Sequence, residues 1–435
     1  MTENKVFNLF EHTKSEKIKD LDFADFESFL NKIWENRPTD GFFYGNDTEK
    51  EKESNGQRFF KLNYDGTITP RNYTGVVIYK DFSFNIFPKV FDNSKKEAEL
   101  KHLFADNLLY WLSYIDRFKF PKFESDQEKK DSDILDIFIW LFANYTLETL
   151  NSSPYQQYEE ITEETSAIKD KLEFGEYIKN IAKGLWHKPV CRYSSFEYDN
   201  IFNRVVKSTC KMLLQLDKLK EINIKTLSEI MFLLDDVANI SAASSDCDKI
   251  VLNPMFSHLK PIVEYCRLFL SSAVHTTDSG KLSLFAFLIP MEKIYEEFLL
   301  GFIKKMEGYE KACRKEEKLD ENGTYKIKKD IEIPNTCIID AKYKLPIDTK
   351  PAQGDMYQII SYAVRSKINN VFLLYPQKNE KWEQTYHIKD EFSEHSEQII
   401  SITAATIPFV KYETSKNHDE ILKKRLSDLP NLSSY

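Results

Sequence analysis

The sequence predicts a multidomain α+β protein: a small N-terminal antiparallel β domain, a helical middle region and a C-terminal α/β core. Three observations carry this. Residues 56–91, GQRFFKLNYDGTITPRNYTGVVIYKDFSFNIFPKVF, are rich in β-formers with alternating pattern. From Ile134 to about Leu270 apolar residues recur mainly at helical spacing, as in Leu135, Phe138, Ile139 and Phe142. The last 150 or so residues read as helix, strand, strand, helix, strand. At 435 residues the chain is long for one core, and the expected boundaries are 1–118, 119–275 and 276–435.

In the first segment, Asp65-Gly66 and Thr74-Gly75 punctuate the β pattern, so a sheet built from hairpins is expected. Residues 119–132, KFPKFESDQEKKDS, are polar and charge-dense and read as a linker or exposed loop. In the last segment Met291–Met306 is an amphipathic helix entered through Pro290. Two short strands follow, Tyr325–Ile333 and Thr336–Tyr343, joined at Pro334-Asn335. Gly354–Arg365 reads as a helix, and Asn370–Tyr375 as a buried strand ended by Pro376.

Composition excludes some classes. With 42% apolar and 30% charged residues the chain has ordinary globular composition. A formal charge of −9 argues against coating nucleic acid by bulk charge, though not against a local basic surface or a DNA-gripping partner. The opening residues lack a basic stretch leading into an apolar one, and no apolar run approaches a membrane span. The six cysteines are scattered without CxxC or zinc-ligand spacing, which suits reduced buried thiols in a cytoplasmic protein.

One stretch breaks the pattern of its element. In Cys337–Leu345, CIIDAKYKL, an acid and a lysine interrupt what otherwise reads as a buried strand. Strand alternation sends Asp340 and Lys342 to one face, and Ile339 and Ala341 to the other. If the hairpin closes at Pro334-Asn335, paired residue numbers sum to about 669 or 670, which places Asp330 opposite Ile339 or Asp340. A one-residue bulge would align the two carboxylates. Paired carboxylates suit Mg²⁺, which prefers hard oxygen ligands and keeps several waters. A lysine beside them can orient an attacking water or offset charge building on a phosphodiester. Asp330 and Asp340 are therefore candidate metal ligands and, with Lys342, candidate catalytic groups for hydrolysis of a nucleic-acid backbone.

D-x-K alone arises often by chance, and an Asp–Lys pair on a solvated strand edge is the plain alternative. The neighbouring elements add weight. Asp355, Gln358 and Tyr362 share one stripe of the following helix, which makes Gln358 and Tyr362 candidate catalytic residues. Against this, Gln358 could be a surface amide and Tyr362 a packing residue. In the preceding helix Tyr295, Phe298, Leu299 and Phe302 define the apolar side, leaving an acid of the Glu296-Glu297 pair at its boundary. Glu296 is the candidate third metal ligand.

Asp330…Asp340-Ala-Lys342 within this element order resembles the PD-(D/E)xK nuclease core. IIDAKYK followed by DMYQIISYA and VFLLYP is similar to the McrC family, including the related subunits of LlaJI-type restriction systems. Arg71-Asn-Tyr-Thr-Gly-Val76 with Phe84-Asn-Ile-Phe-Pro-Lys89 resembles the family's N-terminal signature, and Val190–Tyr193 with Asp199–Arg204 its middle segment. The likeness touches most of the chain between about 56 and 376.

The resemblance implies a Mg²⁺-dependent endonuclease subunit of a modification-dependent restriction system. Its partner would be a separate McrB-like AAA+ GTPase hexamer, and its substrate double-stranded DNA, often carrying modified cytosine. It also implies that the N-terminal domain docks on the hexamer and stimulates nucleotide hydrolysis, with Arg71, Asn72 and Tyr73 as candidate partner-binding residues. The competing reading is that Asn72 and Gly75 shape a turn while Tyr73 fills the small core. No Walker A sequence is present, so this chain is not expected to hydrolyse nucleotide. Two departures from the family pattern bear on Asp330: Lys329 rather than proline precedes it, and the interval to Asp340 is short. Asp320 and Glu321 are the fallbacks. A non-catalytic docking subunit and a motor-independent repair nuclease are the other function classes the sequence leaves open.

Overall fold

The computed structural model describes residues 5–36, 56–115, 134–216, 219–272, 284–318, 324–345, 350–378, 380–389, 399–412 and 417–429. The fold is mixed α+β in two compact units, one formed by residues 1–137 with 283–435 and the other by residues 138–282. The sequence reading drew its boundaries at 118 and 275 instead. Asp320 and Glu321 lie outside the described residues, as does the whole 119–132 segment.

In chain order the first unit opens with β1 (Lys5–Phe10), α1 (Phe23–Asn36), β2 (Phe60–Leu62), β3 (Ile68–Pro70), β4 (Tyr73–Tyr79), β5 (Phe82–Phe87) and α2 (Glu97–Leu112). β2 and β3 form the expected hairpin around Asp65-Gly66. β4 and β5 form a second, but it turns at Lys80-Asp81, where Lys80 has φ 53°, and not at Thr74-Gly75. Gly75 lies inside β4 because the neighbouring backbone comes too close for a side chain: a Cβ there would sit 2.0 Å from the Phe287 carbonyl oxygen. The glycine is a packing requirement, not a turn signal. Nor is the sheet wholly antiparallel, since β1 adds to β5 in parallel register.

α3 (Ile134–Ser152) leads into the second unit, which holds β6 (Gln157–Glu164), β7 (Lys171–Leu172), α4 (Phe174–Ala182), β8 (Val190–Glu197), α5 (Ile201–Leu213), α6 (Glu221–Leu233) and α7 (Lys260–Ser272). The region expected to be mainly helical thus contains a three-stranded antiparallel sheet of order β6-β8-β7. Its strands, QYEEITEE and VCRYSSFE, are too polar to stand out as strands in the sequence. The Asp199–Arg204 segment is a structural brace. The Asn200 side chain caps α5 by accepting from the Asn203 amide at 3.1 Å, Asn203 donates to the Tyr155 and Tyr198 carbonyls, and Arg204 grips Asp199 through two nitrogens.

The chain then returns to the first unit with β9 (Leu284–Pro290), α8 (Met291–Lys304), β10 (Cys313–Lys318), β11 (Lys326–Ile333), β12 (Cys337–Ala341), α9 (Gln353–Ser366), β13 (Asn370–Pro376), β14 (Glu383–Lys389), β15 (Ile399–Ile407) and α10 (His418–Ser427). β9 falls in the stretch assigned by sequence to the C-terminal domain, yet it pairs antiparallel with β4 and completes a sheet of order β1-β5-β4-β9. Local pattern does not say which sheet a buried apolar strand will join. The second sheet has order β10-β11-β12-β13-β15-β14, with β12, β13 and β15 parallel and the outer pairings antiparallel. α9 packs Ile359, Tyr362 and Ala363 against Ile338, Val371, Leu373 and Ile402, and α8 packs on β11 and β12. No helix among the described residues is long and apolar enough to cross a membrane, and all six cysteines are free thiols, five of them buried.

Candidate active site

The hairpin register is the sequence's own: Ile331 pairs with Ile339, Glu332 with Ile338 and Ile333 with Cys337. Asn335 accepts the left-handed turn position at φ 60°, which asparagine tolerates better than most residues. Continued by one pair, the register sets Asp330 across from Asp340 with no bulge. On its other side Asp340 pairs with Leu373 of β13, so this acid sits mid-sheet and is 1% exposed. Asp330 turns one carboxylate oxygen onto the Ala341 main-chain amide, accepting its hydrogen at 2.9 Å.

Lys342 follows the last residue of β12, and its amide donates to the Leu374 carbonyl at 2.9 Å. Its ammonium lies 2.7 Å from Asp340 Oδ2 and donates to Gln358 Oε1 at 2.8 Å. Gln358 Nε2 donates to the Tyr362 hydroxyl at 2.6 Å, and that hydroxyl donates to the Lys328 carbonyl at 3.0 Å. The expected helical stripe therefore points at the β-ribbon, and its amide holds the lysine. Asp355, from the same stripe, is buried and accepts from Lys344 at 2.8 Å.

Glu296 reaches the neighbourhood from α8 but is engaged by Arg314 Nη2 at 3.1 Å and Lys293 Nζ at 3.2 Å. Arg314 also holds Glu297. Sequence reasoning missed Arg314, Lys344 and Glu292, whose charges enclose the site; nothing in their local patterns marks them.

Electrostatics follow from burial. Desolvation, then repulsion from Glu296 and Asp340, pushes the Asp330 carboxyl well above the usual range. Burial also raises Asp340, partly offset by Lys342 and reinforced by Asp355 and Glu296. For Lys342, burial favours the neutral amine, but Asp340, Asp330 and Asp355 outweigh it and raise its pKa. Asp330 and Asp340 thus resist carrying two negative charges at once, with Lys342 the ammonium in contact with Asp340.

No group of three or more His, Cys, Asp or Glu side chains among the described residues has metal-holding geometry. Two facing carboxylates nevertheless fit a hard divalent cation. Mg²⁺ commonly takes one or two carboxylates and keeps its waters, and mutual repulsion between the acids is what such a cation relieves.

In the N-terminal sheet Arg71 and Asn72 are exposed. Asn72 Oδ1 lies 2.8 Å from His12 Nε2. Tyr73 is half-buried and packs edge-on against Phe59 at 5.0 Å and Trp34 at 6.3 Å, a core contact as the competing reading has it.

A family model described as McrBC 5-methylcytosine restriction system component matches residues 68–376. No curated protein is detectably similar in sequence. In fold the chain is similar to a chain of the refined half-complex from the tetradecameric assembly of Thermococcus gammatolerans McrB AAA+ hexamers with bound McrC. That likeness has TM-score 0.61 at 17% identity and covers 97% of this chain and 100% of that one. A chain of the Thermococcus gammatolerans McrBC complex, determined by cryo-electron microscopy, superposes with TM-score 0.48 at 18% identity over 69% of this chain and 88% of that one.

Proposed function

The chain belongs to the McrBC 5-methylcytosine restriction system component family, and from that premise we propose that it is the McrC-like nuclease subunit, hydrolysing DNA phosphodiester bonds with Mg²⁺ while docked on a McrB-like AAA+ GTPase. The observation that carries the nuclease reading is the convergence of Asp330, Asp340 and Lys342, with the Lys342 ammonium 2.7 Å from Asp340 and held by Gln358. The sequence α8, β11, β12, α9, β13 around them supports a core of PD-(D/E)xK type. The site lies at the carboxyl end of parallel strands β12 and β13, where open α/β sheets bind ligands.

In this reading Asp330 and Asp340 would hold the cation, with Glu296 the candidate third ligand. When bound, Mg²⁺ supplies charge neutralisation of the phosphodiester and a more acidic water. Lys342 stays protonated through its carboxylate neighbours and meets the charge that grows on the phosphoryl oxygens in the transition state. Gln358 keeps that ammonium from collapsing fully onto Asp340, and Tyr362 fixes the amide's orientation by closing the chain of bonds to the Lys328 carbonyl. The net charge of −9 fits a division of labour in which the partner grips double-stranded, modified DNA. The exposed Arg71 and Asn72 are candidates for the surface that meets the hexamer; Tyr73 would shape it from below.

A non-catalytic docking subunit is the alternative reading, and the intact ion-pair network disfavours it: a decayed site would leave buried acids without their lysine. The test mixes the purified chain with a McrB-like AAA+ GTPase, GTP, Mg²⁺ and methylated plasmid. Asp340→Ala and Lys342→Ala are expected to abolish cleavage and leave stimulation of GTP hydrolysis intact. Wild-type cutting by both variants refutes the site.

A further inference from the structure

β12 ends at Ala341, so the pleat of the sheet no longer dictates where Lys342 and the residues after it point. Asp340 and Gln358 hold the ammonium itself, and other groups must place the main chain that carries it. One tether is the main-chain bond from Lys342 to Leu374. The others reach across from the N-terminal sheet and converge on the next residue, Tyr343, which is 3% exposed. Glu11, directly after β1, accepts the Tyr343 hydroxyl at 2.8 Å through Oε2, and the same oxygen accepts the Lys89 main-chain amide at 3.0 Å. Lys89, after β5, donates its ammonium to the Tyr343 carbonyl at 2.8 Å and lies 4.1 Å from the centre of its ring. Tyr343 is thus held at hydroxyl, ring and carbonyl by residues 332 and 254 positions away.

We infer that Glu11 and Lys89 are positioning residues for Lys342, acting through Tyr343, so that the N-terminal sheet takes part in building the hydrolytic site. The inference rests on the proposed nuclease role of Lys342. Its physical basis is the cost of the arrangement. Glu11 is 1% exposed, leaves Oε1 without a hydrogen-bond partner and keeps a carboxyl in a place that resists ionisation, its pKa pushed up to about 7 mainly by burial. A hydrophobic contact would join the two sheets with less penalty, so the polar contact contributes direction more than stability. The same corner continues outward: His12, next to Glu11, meets the exposed Asn72 at 2.8 Å, and the Asn72 carbonyl accepts the Met291 amide at the start of α8. A partner bound over Asn72 would therefore press on residues adjacent to the tether.

The experiment compares Tyr343→Phe, Lys89→Met, Lys89→Arg and Glu11→Gln with the wild type and Lys342→Ala. Each is assembled with the same McrB-like AAA+ GTPase and assayed by single-turnover cleavage of methylated plasmid. Because Tyr343→Phe removes one hydroxyl and keeps the ring, it reads the tether without emptying the core. Positioning predicts a fall of about ten-fold in the maximal cleavage rate for Tyr343→Phe and Lys89→Met. DNA affinity, GTPase stimulation and melting temperature should stay near wild type, with partial rescue in Lys89→Arg. Wild-type rates in Tyr343→Phe, Lys89→Met and Glu11→Gln beside a dead Lys342→Ala overturn the inference and leave the nuclease reading standing. Losses that track melting temperature overturn it as well, since a plain brace would produce them. Wild-type cutting by Lys342→Ala removes the nuclease reading itself.

Discussion

The carboxylate of Asp330 accepts a hydrogen bond from the main-chain amide of Ala341, the residue between Asp340 and Lys342. This bond ties the first acid to the strand that carries the second, so the two carboxylates move together. It also leaves one Asp330 oxygen for a cation.

Cation binding should therefore be visible without catalysis. In chelator-treated protein, added Mg²⁺ is expected to raise the melting temperature, because a ligand bound only by the folded state stabilises it by mass action. Asp330→Asn and Asp340→Asn should lose most of that rise. A Mg²⁺-induced shift of wild-type size in both variants would place the cation elsewhere.

Glu11 makes stability depend on pH. Its folded pKa of about 7 lies above the ordinary glutamate value of 4.5, so the folded state holds the proton more tightly. Its contribution is complete below pH 4.5 and is lost as pH rises through 7, to a total of about 3 kcal/mol. In urea titrations the wild type should weaken relative to Glu11→Gln across that window, with no further divergence above about pH 8. Parallel curves for the two proteins would show that the carboxyl is not buried as described.

Gly75→Ala tests the joint between β4 and β9. The added methyl would meet the Phe287 carbonyl at 2.0 Å, and φ 138° disfavours any side chain. A loss of about 3 kcal/mol is expected from overpacking plus strain, measured as a lowered urea midpoint. Gly354→Ala is the control: it opens onto free space in the first turn of α9 and should be neutral or slightly stabilising.

Tyr362→Phe separates aim from packing in the helix stripe. Loss of the bond to the Lys328 carbonyl should cost about 1 kcal/mol of stability. Cleavage should fall only a few-fold, because Gln358 can still accept from Lys342. An inactive Tyr362→Phe would give the hydroxyl a direct part in the chemistry, beyond holding the amide.

Much of the C-terminal sheet was legible because its cues are local. The turn at Pro334-Asn335 pointed to paired residue numbers summing to 669 or 670, and the register sums to 670. Strand alternation does not reach Lys342, because β12 ends at Ala341, and its place 2.7 Å from Asp340 rests on contacts beyond the strand. The i, i+3, i+7 stripe of Asp355, Gln358 and Tyr362 was equally readable. Glu296, at the edge of α8's apolar side, lies close enough to repel Asp330, but its ion pair with Arg314 of β10 joins residues that no local pattern connects. Errors arose where one local signal has two meanings. Gly75 looked like a turn and proved to be a close approach of backbones, and the Glu-rich strand β6 hid within helical surroundings.

By itself, then, the sequence determined which elements form around Asp330, Asp340 and Lys342, since periodicity and turn chemistry act over a few residues. Only the tertiary structure decided that β9 joins β4, that β1 runs parallel to β5, and that Glu11 and Lys89 reach Tyr343. Those contacts bridge tens to hundreds of residues. They depend on which buried surfaces and hydrogen-bonding groups find one another once the chain has collapsed, and no short window of sequence encodes that choice.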